Sequence, residues 1–203
     1  MSPERLAVIA WHRWLILLPV LLGIGIAALA LAWPELQAKP GPSILDAHQL
    51  ARNGDWDTAF AMSRAYVLEH PEDPVGHFLL GQCYLYGNHL QFTISAGELE
   101  TALQLHERTG SLGAWEGQID STEFRFRIYR VRATVALRIV RESLAFGLPI
   151  SFIRQHLKDG LEQVNKALEL KPGEKELLDM RDAMEQLNKD LVLLAPERSP
   201  GVV

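Results

Sequence analysis

A chain of 203 residues in which 48% are hydrophobic can bury one core of ordinary size and has apolar residues to spare. Its formal net charge of -5 gives no blanket attraction to nucleic acid, so no nucleic-acid partner is expected. Cys83 is the only cysteine, which excludes an intrachain disulfide and a cysteine-rich zinc site; a lone thiol on a helix reads as a small core hydrophobe.

Residues 1–14 carry Arg5 and Arg13, and the run from Leu15 to Trp33 then has no charged side chain. At 1.5 Å per residue a helix over 15–33 reaches ~28 Å, about the hydrocarbon thickness of a bilayer. Trp11, Trp14 and Trp33 flank it as an aromatic belt would. The run therefore reads as a transmembrane anchor, with 1–14 in the cytoplasm, because the arginines precede it and Glu35 is the first charge after it. A cleaved secretory signal is the rival reading, since Ala28-Leu29-Ala30 and Ala30-Leu31-Ala32 are small-x-small sites behind an apolar run. Either reading puts the rest of the chain outside the cytoplasm, on the periplasmic side of a bacterial envelope.

Residues 34–42 hold three prolines and form a short, stiff linker. Ser43 supplies an N-cap for a helix through Arg52, and a second helix is predicted over Trp56 to Glu69. A third begins near Val75 and ends at Tyr86-Gly87-Asn88, and a fourth covers Thr93 to His106. Glu107 to Gly117 has three glycines and no sustained period, which marks a loop. A long helix is predicted from Ser121 to Phe146, its partner from Ser151 to Leu170, and a last amphipathic helix from Glu174 to Leu193. Residues 195–203 have two prolines, little to bury, and read as a disordered tail.

Within 43–194 one register stands out. Gly54-Asp55-Trp56, Ala59 and Pro71 are followed by His77, Leu80-Gly81 and Tyr84, at the offsets of a helix, a tight turn, a second helix and the start of the same pattern again. Leu80 and Tyr84 share one helix face, while Gly81 lets a neighbouring helix approach closely. This register resembles the tetratricopeptide repeat, with His77, Ser63 and Tyr66 departing from the residues usual at their positions. Lys166 to Pro172 is similar to the end of a repeat's second helix. The resemblance implies an all-α fold: the N-terminal transmembrane helix, then a tetratricopeptide-like α-solenoid of about three helical hairpins plus a capping helix.

In such repeats the first helix of each hairpin lines a concave groove for a partner segment. Carried onto this chain, the groove would show Ile44, His48 and Arg52 from one helix, and Val75, Phe78, Gln82, Leu85 and Tyr86 from another. Ile44 and His48 stand where relatives that clamp a terminal carboxylate carry Lys and Asn, which argues against that function. A second candidate is the basic stripe Arg127, Arg130, Arg138 and Arg141, opposite the main apolar side of the long helix. It suits an acidic peptide, a carboxylate or lipid headgroups, and equally reads as a solvated face paired with Glu123 or Glu142.

Signals of enzymatic chemistry are missing: there is no His-Glu-x-x-His zinc motif, phosphate loop, nucleophile elbow or haem attachment motif, so no catalytic, metal or cofactor residue is assigned. Asp55 and Asp57, and Glu72 and Asp73, sit at turns and helix starts, where acids serve as caps. The expected function is a non-enzymatic adaptor, anchored in the membrane through 15–33, that holds a partner segment during assembly or maturation of an envelope complex. The alternatives are a subunit whose repeats are permanently buried in a membrane complex, and an organelle-membrane receptor with cytosolic repeats.

Overall fold

The computed structural model describes residues 43 to 194. Among them run seven α-helices: α1 (Ile44–Arg52), α2 (Trp56–Glu69), α3 (Pro74–Tyr86), α4 (Phe92–Thr109), α5 (Ser121–Ala145), α6 (Ile150–Leu170) and α7 (Lys175–Leu194). A 3₁₀ turn, Gly113–Trp115, lies between α4 and α5.

Helix starts follow their local chemistry. The Asp55 carboxylate accepts the Thr58 N–H of α2 at 3.2 Å, Asp73 accepts the Val75 N–H of α3 at 2.8 Å, and Asp120 accepts the Glu123 N–H of α5 at 2.7 Å. Pro74 occupies the first turn of α3, where its missing N–H leaves no gap in the ladder.

Each helix packs on the next in sequence, and α3 also touches both α1 and α5. The result is three hairpins, α1–α2, α3–α4 and α5–α6, stacked side by side and closed by α7 on α6. The central helix, α3, is buried from Pro74 through Gly81, as its apolar run, interrupted only by His77, requires when neighbours stand on several sides. Two glycines set the closest approaches. A methyl on Gly81 would stand 2.9 Å from Leu99 Cγ of α4, and one on Gly160 of α6 would stand 3.0 Å from Ala136 Cβ of α5. Cys83 is fully buried, and burial pushes its thiol pKa up to about 12, only partly opposed by a bond with Ser63.

The region expected to be a plain loop does structural work. α4 runs on to Thr109, and Trp115 folds back into the core, 5.5 Å from the ring of Phe78 and 6.0 Å from that of Phe124. His106 fixes this return through Nδ1 to the Ser111 carbonyl at 2.8 Å and Nε2 to the Ser121 hydroxyl at 2.6 Å.

The membrane anchor is a correction. No helix among the described residues is long and apolar enough to cross a membrane. The physical reason is visible in the long helices, where α5 alone carries Glu123, Arg125, Arg127, Arg130, Arg132, Arg138, Arg141 and Glu142. The segment on which the anchor rested, 15–33, lies outside the described residues, as do 1–14, the linker 34–42 and the tail 195–203. The membrane partner and the extracytoplasmic location inferred from that run are withdrawn with it.

Candidate functional site

The first helices of the three hairpins, α1, α3 and α5, stand next to one another and share a cavity of about 550 Å³. Its lining comes from every part of the stack: His48 and Arg52 of α1, Trp56 of α2, Phe78 and Gln82 of α3, and Phe126, Arg127 and Arg130 of α5. Lys171 and Glu174, between α6 and α7, close one end. No hairpin could make this surface alone.

The expected groove residues divide into two groups. His48, Arg52, Phe78 and Gln82 line the cavity. Ile44, Val75 and Leu85 are core residues and present no surface to a ligand. Phe78 also belongs mostly to the core, at 2% exposure, and offers the cavity only an edge of its floor. The reason is crowding: α3 is covered on so many sides that its apolar positions are taken up by packing. Tyr86 lies beyond the cavity at the end of α3, stacked 5.2 Å from Trp56 with its hydroxyl beside Thr134.

The basic stripe divides as well. Arg127 and Arg130 line the cavity, whereas Arg138 and Arg141 are exposed farther along α5, with Arg138 near Tyr86. Arg127 donates through Nε to Glu123 Oε1 at 2.6 Å and lies over the Trp115 ring, 5.2 Å from its centroid. Lys171 Nζ reaches the other oxygen of Glu123 at 2.5 Å and stands 4.3 Å from the Phe126 ring centroid. Arg130 lies 4.0 Å from Glu176 of α7, at the long limit of an ion pair. Of the two other arginines on α5, Arg132 is paired with Glu100 of α4 at 2.6 Å, and Arg125 lies over Tyr129.

The electrostatics follow from this census. Arg52, Arg127, Arg130 and Lys171 face Glu123 and Glu174 across the cavity, leaving an excess of positive charge. Burial opposes ionisation of Glu123, but its bonds from Lys171 and Arg127 prevail and hold its pKa below the usual carboxylate range. Burial, then the charges of Arg127 and Arg52, hold the His48 imidazole below its ordinary pKa, so at neutral pH it is an uncharged ring set edge-on to Trp115 at 5.0 Å. The groove thus offers guanidinium and amide donors around an aromatic floor. These groups are hydrogen-bond donors and cations suited to holding a ligand. Among the described residues no group of three or more His, Cys, Asp or Glu side chains could hold a metal ion.

Sequence reasoning placed Glu123 as an arginine partner without bringing it to the groove. It also missed Lys171 and Glu174. The signal for these two was the Lys-Pro ending of α6, which fixes a basic side chain at the turn where the array closes over α5.

No protein-family model matches the chain, and no curated protein matches it either. Among solved structures, the fold is similar to that of the type III secretion translocator chaperone SycD of Yersinia enterocolitica. The two are 12% identical, the match covers 74% of this chain and 81% of that one, and the TM-score is 0.43.

Proposed function

We propose that this chain is a non-enzymatic adaptor that holds an extended segment of a partner protein in the groove across α1, α3 and α5. One observation carries the reading: side chains from all three hairpins and from the α6–α7 turn converge on one cavity whose rim is cationic and whose floor is aromatic. A segment that fits places an acidic side chain among Arg52, Arg127 and Arg130 and lays an apolar neighbour over Trp56 and Phe126. Gln82 offers an amide to the segment's backbone, which gives affinity without dictating sequence. Exposed Arg138 and Arg141 continue the stripe and add steering rather than contact.

The test is selection of random peptides on the full chain, repeated with Arg52→Glu and Arg130→Glu combined. Both positions leave the core untouched, so circular dichroism should be unchanged. Enrichment of sequences that pair an acidic with an apolar residue, lost in the variant, is the expected result. Recovery of the same sequences by both proteins would refute the groove.

A further inference from the structure

The opposite side of the stack carries a second groove that the first reading does not use. Both α4 and α6 pack on α5, and between them lies a cavity of about 500 Å³ floored by Tyr129, Arg132, Val135, Ala136 and Ile139. Ile139 also lines an adjoining cavity of about 300 Å³ toward the α5–α6 turn, so the two meet at this side chain along one groove. From Phe92 to Glu107 along α4 it runs ~22 Å at the rise of a helix.

The two ends of the channel differ in chemistry. Near the turn its walls are mainly Leu90, Phe92, Phe146, Leu148 and Phe152, with Glu142 the one charged side chain among them. Phe146 is 79% and Leu90 57% exposed, an unusual density of large apolar surface facing water. Toward the other end the walls are Glu100 and Glu107 of α4 and Asp159 and Glu162 of α6. Two of these acids are already matched, Glu100 by Arg132 at 2.6 Å and Glu162 by Lys166 at 2.7 Å. Among the described residues neither Glu107 nor Asp159 has a lysine or arginine within ion-pair distance, and four acids against Arg132 and Lys166 leave this end an excess of negative charge. Gln163, 8% exposed, lines the same end, and its side-chain carbonyl has no hydrogen-bond partner among the described residues. Asp159 already accepts one hydrogen bond, from the Gln155 amide at 2.8 Å; the remaining capacity of the two carboxylates and the Gln163 carbonyl all call for N–H donors.

We infer that the channel between α4 and α6 docks an amphipathic helix of a partner protein, with apolar residues leading into the Phe146–Phe152 end and lysine or arginine following at the Glu107–Asp159 end. Charge complementarity fixes the occupant's sign and the end of the groove at which its basic part lies. α4 and α6 both pack on α5 and wall the groove on either side of it, an arrangement that one further helix laid along α5 would complete. This surface is independent of the groove on the other side and does not require it to be filled.

The probe is a fluorescein-labelled amphipathic peptide with leucine and phenylalanine on one face of its first two turns and lysine on that face of its last two, read by anisotropy with the full chain. Its counterpart has every lysine replaced by glutamate. The lysine peptide should bind about tenfold more tightly than its counterpart, and Glu107→Lys with Asp159→Lys should reverse that order. Phe146→Ser with Phe152→Ser should weaken both peptides by about tenfold while leaving the helical spectrum unchanged. Equal binding of the two peptides, or a preference that survives the charge reversal, overturns the proposal. So does sedimentation showing that the full chain pairs with itself and that Phe146→Ser with Phe152→Ser makes it monomeric, since the channel would then belong to a second copy.

Discussion

The Ser95 hydroxyl donates to the Gly81 carbonyl across 2.7 Å, joining α4 to α3 at the point where α3 has no side chain. A methyl group placed on Gly81 meets Leu99 Cγ at 2.9 Å and the Ser95 carbonyl at 3.2 Å, so the helices must part to admit it. Overpacking of this kind costs about 1–3 kcal/mol, against a gain of up to ~1 kcal/mol in helix propensity. Gly81→Ala is therefore expected to destabilise by roughly 1 kcal/mol or more. Gly97, on the open side of α4, has nothing within 4 Å, and Gly97→Ala should stabilise by about 0.5–1 kcal/mol. Urea midpoints for the two variants should move in opposite directions.

Asp73 is the junction of three elements. Its carboxylate accepts the Tyr66 hydroxyl of α2 at 2.6 Å, the Val75 N–H at 2.8 Å and the Ala114 N–H of the 3₁₀ turn at 3.1 Å. Gly113 makes room for it: φ there is +54° and an added Cβ would collide with the carboxylate. Asp73→Ala removes the cap of α3 and leaves two partly buried donors unmatched, an expected loss of roughly 2–4 kcal/mol. Thermal unfolding followed by circular dichroism measures it, and a loss below the cost of a simple cap would show the turn to be independent of Asp73.

Stability should peak near the ordinary histidine pKa, for opposite reasons on its two sides. Burial opposes the charge on His77, but Nδ1 to Glu98 at 2.7 Å, Nε2 to the Pro71 carbonyl at 2.9 Å and the charges of Glu98 and Asp73 prevail and raise its pKa. That contribution is complete below the unfolded value of 6.5 and is lost as pH rises through the higher folded value. His48 is lowered, so its contribution is complete above 6.5 and is lost as pH falls toward the depressed value. His77→Gln should flatten the decline on the alkaline side alone, and His48→Gln the decline on the acidic side alone. Denaturant midpoints across the range decide it; a profile unchanged in both variants would contradict the assignment.

Phe78 lines the groove by an edge and the core by nearly its whole ring. Phe78→Ala is expected to cost about 3–5 kcal/mol, as for a buried aromatic anywhere. Gln82→Ala should change stability by less than about 0.5 kcal/mol. Loss of peptide binding in the first variant would therefore report unfolding, and only the second tests the groove.

Helix positions were legible in this chain because its turns are chemically explicit. Asn53-Gly54-Asp55 and Pro71 to Pro74 bound α2, and the structure has it from Trp56 to Glu69 as the pattern predicts. The return of Trp115 was not legible: within 107–117 no periodicity separates a side chain that plugs the core from one that waves in solvent, and its partners Phe78 and Phe124 lie far away in sequence. The groove was half legible for a related reason. Wheel positions identify the outward face of an isolated helix, but whether Ile44, Val75 and Leu85 stay accessible depends on how closely the next hairpin approaches. Arg127 and Arg130 had a visible stripe, yet their meeting with Arg52 and Lys171 across the stack is a product of tertiary packing.

Cys83 has a use that follows from its seclusion. It is the only thiol in the chain, it lies on the most deeply packed helix, and with a pKa near 12 it is almost never a thiolate while that packing holds. An alkylating reagent can consume it only during an excursion that lifts α3 out of its neighbours. The rate of that consumption is a clock for the opening of the middle of the array. A ligand that bridges α1, α3 and α5 must slow the clock, and one seated only between α4 and α6 has a different, weaker hold on it.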